Sequence, residues 1–225
     1  MKATSSPYYS ITFKIMNISG TINVLRLLVN PTLCLPHHTV ATFDQLPIPL
    51  STAFAKHGEK GPDIRAVVLD KDNCFAIPKR NTVFPAYAKK FDELKKAYPG
   101  SRLLIVSNTA GTNSDKGHAD ADLIERTTGV KVLRHATKKP GCQAEVMEYF
   151  RSQPESGVTH AGQVAVVGDR LFTDVMMANM MASHGFWVKD GVVENQGLLS
   201  RVEKGLAGFL MRRGYNAPAP YSDFE

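Results

Sequence analysis

A chain of 225 residues, 43% hydrophobic and 21% charged, can bury the core of one α/β domain and carry a short appendage. It contains no apolar run near the roughly 20 residues of a membrane span, so no membrane-crossing helix is expected. A net charge of +6 favours an anionic partner (nucleic acid, acidic lipid or a phosphorylated substrate), and the widely spaced Cys34, Cys74 and Cys142 form neither a zinc pattern nor a disulfide framework, as in a reducing compartment.

The first acidic residue is Asp44, and the fixed charges before it are Lys2, Lys14 and Arg26. Such an acid-poor start reads either as a mitochondrial transit segment or as a tail with accidental charge bias. Residues 1–16 form a flexible lead. From 17 to 30 the apolar Ile18, Ile22, Leu25 and Val29 recur at helical spacing until Pro31 stops the helix. An apolar stripe of this kind packs on the chain's own core or a partner, or lies in a membrane interface. The Pro- and His-rich residues 31–62 read as an extended connector, 63–215 as the main domain and 216–225 as an irregular tail.

From Arg65 onward strands and helices alternate. Ala66–Leu69 is a strand ending in Asp70, followed by a helix over Pro85–Tyr98. Leu103–Val106 is a strand ending in Ser107, and a helix over Ala119–Thr128 leads to a strand at Lys131–Leu133. A helix over Gly141–Arg151 precedes the strand Val164–Val167, which ends in Gly168-Asp169. Leu171–Ala182 is helical, Gly185–Val188 a strand and Val202–Arg212 a last helix. This alternation predicts an α/β fold, a parallel sheet with helices on both faces. Ligands of such sheets bind beyond the strand carboxyl ends, so Asp70, Ser107 and Asp169 should meet at one rim.

Four sequence features carry chemistry. Asp70-Lys71-Asp72-Asn73-Cys74 follows a strand, and two carboxylates two residues apart can divide nucleophilic attack from proton transfer while attracting a hard cation. Ser107-Asn108 at the next strand end can hold phosphate oxygens. A lysine of Lys138-Lys139-Pro140 can neutralise developing phosphoryl charge. Gly168-Asp169, with Asp174 five residues later, offers further carboxylates beside the metal. Taken singly, these are respectively a turn, a turn, a solvated surface and a helix N-terminus.

In this order, and each at a strand end, the four resemble the motifs of the haloacid dehalogenase superfamily, with Cys74 standing where that family usually has Thr or Val. The resemblance implies its Rossmann-like fold and makes Asp70 the phosphorylated nucleophile and Asp72 the general acid/base. It assigns Ser107, Asn108 and Lys139 to the phosphoryl group, and Mg2+ to Asp70, the Asp72 carbonyl and Asp169, with Asp174 as a supporting or direct ligand. About 37 residues separate Asp70 from Ser107 and about 32 separate Ser107 from Lys139, too few for an inserted cap domain of ~50 residues or more. An open site suits a macromolecule or a lipid headgroup.

Asp-Lys-Asp-Asn-Cys, the segment from Met16 to Gly20 and Leu46-Pro47-Ile48-Pro49 are moreover similar to the fungal mitochondrial phosphatidylglycerophosphatase family. That resemblance implies release of phosphate from phosphatidylglycerophosphate, a step toward cardiolipin, by a peripheral protein on the matrix side of the inner membrane. The 17–30 helix would then dock on an anionic membrane through Ile18, Ile22, Leu25 and Val29. Lys71, Arg134, Lys138 and Arg170 flank the motifs and are candidates for the lipid's second phosphate. A capless phosphatase of nucleic-acid ends is the alternative enzyme, disfavoured because no stacking aromatics interleave with the basic residues, and no nucleic-acid partner is expected. A membrane-bound scaffold with a dead site is the alternative of another class, and a homo-oligomer walling the open site is compatible with the sequence.

Overall fold

The computed structural model describes residues 25–55, 60–193 and 197–221. Six parallel strands form one sheet: β1 (His38–Val40), β2 (Ala66–Leu69), β3 (Leu103–Ile105), β4 (Lys131–Val132), β5 (Val164–Gly168) and β6 (His184–Val188), in the order β1-β6-β5-β2-β3-β4. β2 sits between β3 and β5, with Val68 opposite both Leu104 and Val166.

Side chains of β2 alternate between two cores, as the two-residue period of a strand requires. Val67 and Leu69 face a core with α2 (Ala88–Ala97) and α3 (Ala119–Thr128), whereas Ala66 and Val68 face one with α4 (Gln143–Ser152) and α5 (Met176–Met180). Both faces are thus covered, and β2 is buried throughout. α2 shows how the sequence achieves this: Tyr87, Phe91, Leu94 and Tyr98 recur every three or four residues and are buried, while Lys89 and Lys96 lie outside. A third cluster joins Leu27 of α1 (residues 25–29), Cys34, Leu35, Leu171, Trp187, and Ala207 and Leu210 of α6 (Leu198–Arg212).

Three differences from the sequence expectation have physical causes. Residues 31–55, read as a connector, contribute β1 at the sheet edge and bury Cys34, Phe43, Leu46 and Leu50. Proline spacing hides any local period there, and β1 exists because its partner β6 lies far along the chain, His38 pairing with Phe186. The helix expected over Leu171–Ala182 opens as a π-helical turn, Leu171–Val175, before α5. The stripe expected on the first helix is also divided. Ile18 and Ile22 lie outside the described residues, Leu25 and Val29 are exposed, and Leu27 is the side chain that packs inward.

Phe91 is buried against Phe75, with ring centroids 5.0 Å apart, and against Phe43. Truncation leaves a void that the sheet behind it cannot fill. Phe91→Ala should cost about 3–5 kcal/mol of stability in urea unfolding, without altering the catalytic constant of the folded fraction.

Candidate active site

The strand order dictates where the site forms. The Asp70 amide donates to the Val167 carbonyl at 2.9 Å and the Val106 amide to the Leu69 carbonyl at 3.0 Å, so the ladder continues past the strand ends. Asp70 leaves β2, Ser107 follows β3, and Asp169 follows β5, all at the same rim, as expected. Carboxylate oxygens of Asp70, Asp169 and Asp174 lie within 4.8 Å of one another. Lys139 reaches the same point from beyond β4. Its ammonium, almost wholly buried, donates to Asp70 Oδ1 and lies 2.7 Å from Asp174 Oδ1.

Three carboxylates and one ammonium leave an excess of negative charge in a buried place, and the proton affinities follow. Burial pushes Asp70 well above the usual carboxylate range; Lys139 opposes this, and the Asp174 and Asp169 charges reinforce it. Asp169 rises to about 7, through burial first and Asp174 second. Burial alone would lower Lys139, but Asp174 and Asp70 together outweigh it and hold its proton firmly. A divalent cation neutralises such an excess without needing the carboxyls to protonate, and a small cluster of buried oxygen donors suits a hard ion.

Several residues hold this cluster in place. Gly168 has no side chain because Asp174 occupies the room: a Cβ there would lie 2.3 Å from the Asp174 carboxyl. The π-helical turn then brings Asp174 back so that its Oδ2 accepts the Arg170 amide at 3.1 Å. Asn73, in the left-handed region at φ 62°, donates through Nδ2 to Asp169 Oδ2 at 3.0 Å. Its Oδ1 accepts from the Val192 and Val193 amides. Gly191 permits that approach, since a Cβ there would meet Asn73 Nδ2 at 2.3 Å. Trp187 Nε1 donates to the Asp169 carbonyl at 3.1 Å. The sequence reading gave Asn73 no role; its place immediately after Asp72 was the available signal. Trp187 and Gly191 become legible only once β6 returns beside β5.

The remaining expected residues divide. Asp72 lines the cavity, its Oδ1 accepting from Lys71 Nζ at 2.6 Å and from the Lys79 amide at 2.7 Å. Ser107 is buried, its Oγ within 3.1 Å of Thr109 Oγ1, so Asn108 and Thr109 are the lining residues at that strand end. Asn108 Oδ1 accepts the Lys139 amide at 2.7 Å and thereby fixes the lysine loop. Of the four cations considered for a headgroup, three are engaged within the fold. Lys71 is buried on Asp72 and the Arg80 carbonyl; Arg134 bonds Asp122 and Glu125; Arg170 makes a bidentate pair with Glu203 at 2.9 and 3.0 Å. Lys138 stays half-buried with no carboxylate partner among the described residues, and Lys79 and Arg80 are exposed after Pro78, which lines the cavity.

The cavity holds about 270 Å³ and is lined by Asp70, Asp72, Asn108, Lys139, Asp169 and Thr173, among others. The segments between β2, β3 and β5 carry the covering helices and turns, with all six strands in a single sheet and no second sheet as a cap among the described residues. Fold and site are those of a phosphatase of the haloacid dehalogenase type. Within that class the chain belongs to the family described as mitochondrial PGP phosphatase, whose model matches residues 18–193. It is 51% identical to the mitochondrial phosphatidylglycerophosphatase GEP4 of Saccharomyces cerevisiae over 87% of this chain and 99% of that one. It is 34% identical to a probable mitochondrial phosphatidylglycerophosphatase of Schizosaccharomyces pombe, over 85% of this chain and 91% of the relative. A chloroplastic/mitochondrial phosphatidylglycerophosphate phosphatase of Arabidopsis thaliana is 30% identical over 73% of this chain and 43% of its own length.

The raised Asp169 carboxyl makes a signed prediction. In the absence of divalent cation its protonated form stabilises the fold at acid pH, and that contribution is lost as pH rises through about 7. Asp169→Asn keeps an acceptor for Asn73 and removes the buried charge. In EDTA its melting temperature should therefore exceed that of wild type above pH 7, with the gap closing toward acid pH.

Proposed function

We propose that this protein hydrolyses phosphatidylglycerophosphate to phosphatidylglycerol, the step that precedes cardiolipin formation, through an aspartyl-phosphate on Asp70. The observation that carries the reading is the buried triangle of Asp70, Asp169 and Asp174 around Lys139, at an uncapped rim, in a chain of this family. Asp70 attacks phosphorus in line, the bond to the lipid glycerol oxygen breaks, and Asp72 delivers the proton that oxygen needs. Asp72, now ionised, takes a proton from a water that attacks the acyl phosphate, releasing inorganic phosphate and free Asp70. Lys139 opposes the burial that raises Asp70 and meets the equatorial oxygens, beside donors from Asn108 and Thr109. Asp70, Asp169, Asp174 and the Asp72 carbonyl would hold Mg2+, which would supply the charge that lets an anionic nucleophile approach an anionic phosphate.

The second phosphate of the lipid is a phosphodiester anion, and we assign to it Lys138, next to the lining Lys139, with Lys79 and Arg80, which follow the lining Pro78. We assign the protein to the matrix side of the inner mitochondrial membrane as a peripheral protein, with the exposed side of α1 in the interface. No helix among the described residues is long and apolar enough to cross a membrane.

Phosphate release from phosphatidylglycerophosphate in detergent, with magnesium or EDTA, tests the reading. Wild type should turn over only with magnesium, and Asp70→Asn should lose a factor on the order of 10⁴ or more. Lipid left intact while an aryl phosphate is hydrolysed would reject the substrate and keep the chemistry. Asp72→Asn should lose about 10²–10⁴ on the lipid. Its loss should be smaller on p-nitrophenyl phosphate, whose leaving group departs without a proton.

A further inference from the structure

We propose that the outward face of α6, with the exposed residues of α1, is the surface on which the protein rests on an anionic lipid bilayer. This deepens the lipid-substrate reading and rests on it. Ser200, Glu203, Ala207 and Leu210 form the buried face of α6 at helical spacing. The opposite stripe of a helix on a globular domain normally carries charge. Here it carries Leu198, Val202 and Phe209, respectively 80%, 58% and 48% exposed. α1 adds Leu28 and Val29, 78% and 88% exposed. The two helices are neighbours, because Leu27 enters the same small core as Ala207 and Leu210.

The exposed charges of α1 and α6 share one sign. Arg26, Arg201, Arg212 and Arg213 are exposed, and the guanidinium of Arg213 lies 5.2 Å from the Phe209 ring centroid. The one acid in α6, Glu203, points inward and is neutralised by Arg170. An apolar stripe edged by arginines, with no exposed acid on the helix, complements an interface carrying anionic headgroups. It does not complement itself: a two-fold contact between copies would bring the same arginines together.

A second observation ties this face to the chemistry. Arg170 lines the cavity and sits between Asp169 and the turn that carries Asp174, and its partner Glu203 lies on the inner side of α6. The helix that meets the bilayer is thereby fixed to the loop that holds two of the three carboxylates. An uncapped site that draws its substrate from a bilayer needs that fixed distance, since no cap among the described residues folds over the headgroup to hold it.

The test is flotation of the full chain with vesicles of phosphatidylcholine alone or mixed with phosphatidylserine. Wild type should float with the mixed vesicles, less so in high salt. Arg201→Gln with Arg212→Gln should weaken that binding roughly thirtyfold and leave the neutral vesicles unaffected. Leu198→Ser, Val202→Ser and Phe209→Ser together should weaken it about tenfold or more, with circular dichroism confirming a folded chain. Flotation equal to wild type in both variants would overturn the proposal. So would a change in gel-filtration size with flotation intact, which would make the face a contact between copies. Wild-type flotation that depends on α6, without phosphate release when phosphatidylglycerophosphate is added to the mixed vesicles, would reject the substrate reading and leave the docking surface standing.

Discussion

The buried ammonium of Lys139, shared between Asp70 and Asp174, is the interaction on which the rest of the site depends. Two carboxylates so close in a dry place repel, and each charge also pays for leaving water. A single cation between them, its amide fixed by Asn108, makes the arrangement tolerable while leaving the cluster short of positive charge. That shortfall is useful. It makes the site receptive to a cation and, through it, to a phosphate.

Geometry around this centre is enforced by exclusion as much as by bonding. Asp174 can sit beneath the β5 end only because Gly168 leaves it the space, and Asn73 can face Asp169 only because Gly191 does the same. The π-helical turn widens the chain by one residue where a regular helix would carry Asp174 past its target. These are constraints on shape, so their residues are glycines and turns rather than further charges.

The convergence at the rim was legible in the sequence because its signals are local: an apolar run, then a carboxylate or hydroxyl at its end. Asp70, Ser107 and Asp169 needed only the rule that parallel strands present their carboxyl ends together. What stayed hidden depends on distant partners. β1 is three residues in a proline-rich stretch and becomes a strand through β6. Asn73 gains its role from a loop near Val192. Lys71, Arg134 and Arg170 look from sequence like cations beside the motifs, and each has its partner at a distance or on a side that spacing does not reveal. The alternation of α6 was visible in part, but which stripe faces outward depends on Glu203 finding Arg170.

The pairing of β1 with β6 has a consequence for how the molecule comes into being. The sheet edge formed by residues near 40 closes only after residues near 186 are present. A chain that emerges N-terminus first therefore waits with His38–Val40 unpaired until most of its length has arrived, whereas Phe43 and Leu50 already find Phe91 and Tyr98. High sequence separation of this kind slows folding and prolongs exposure to aggregation.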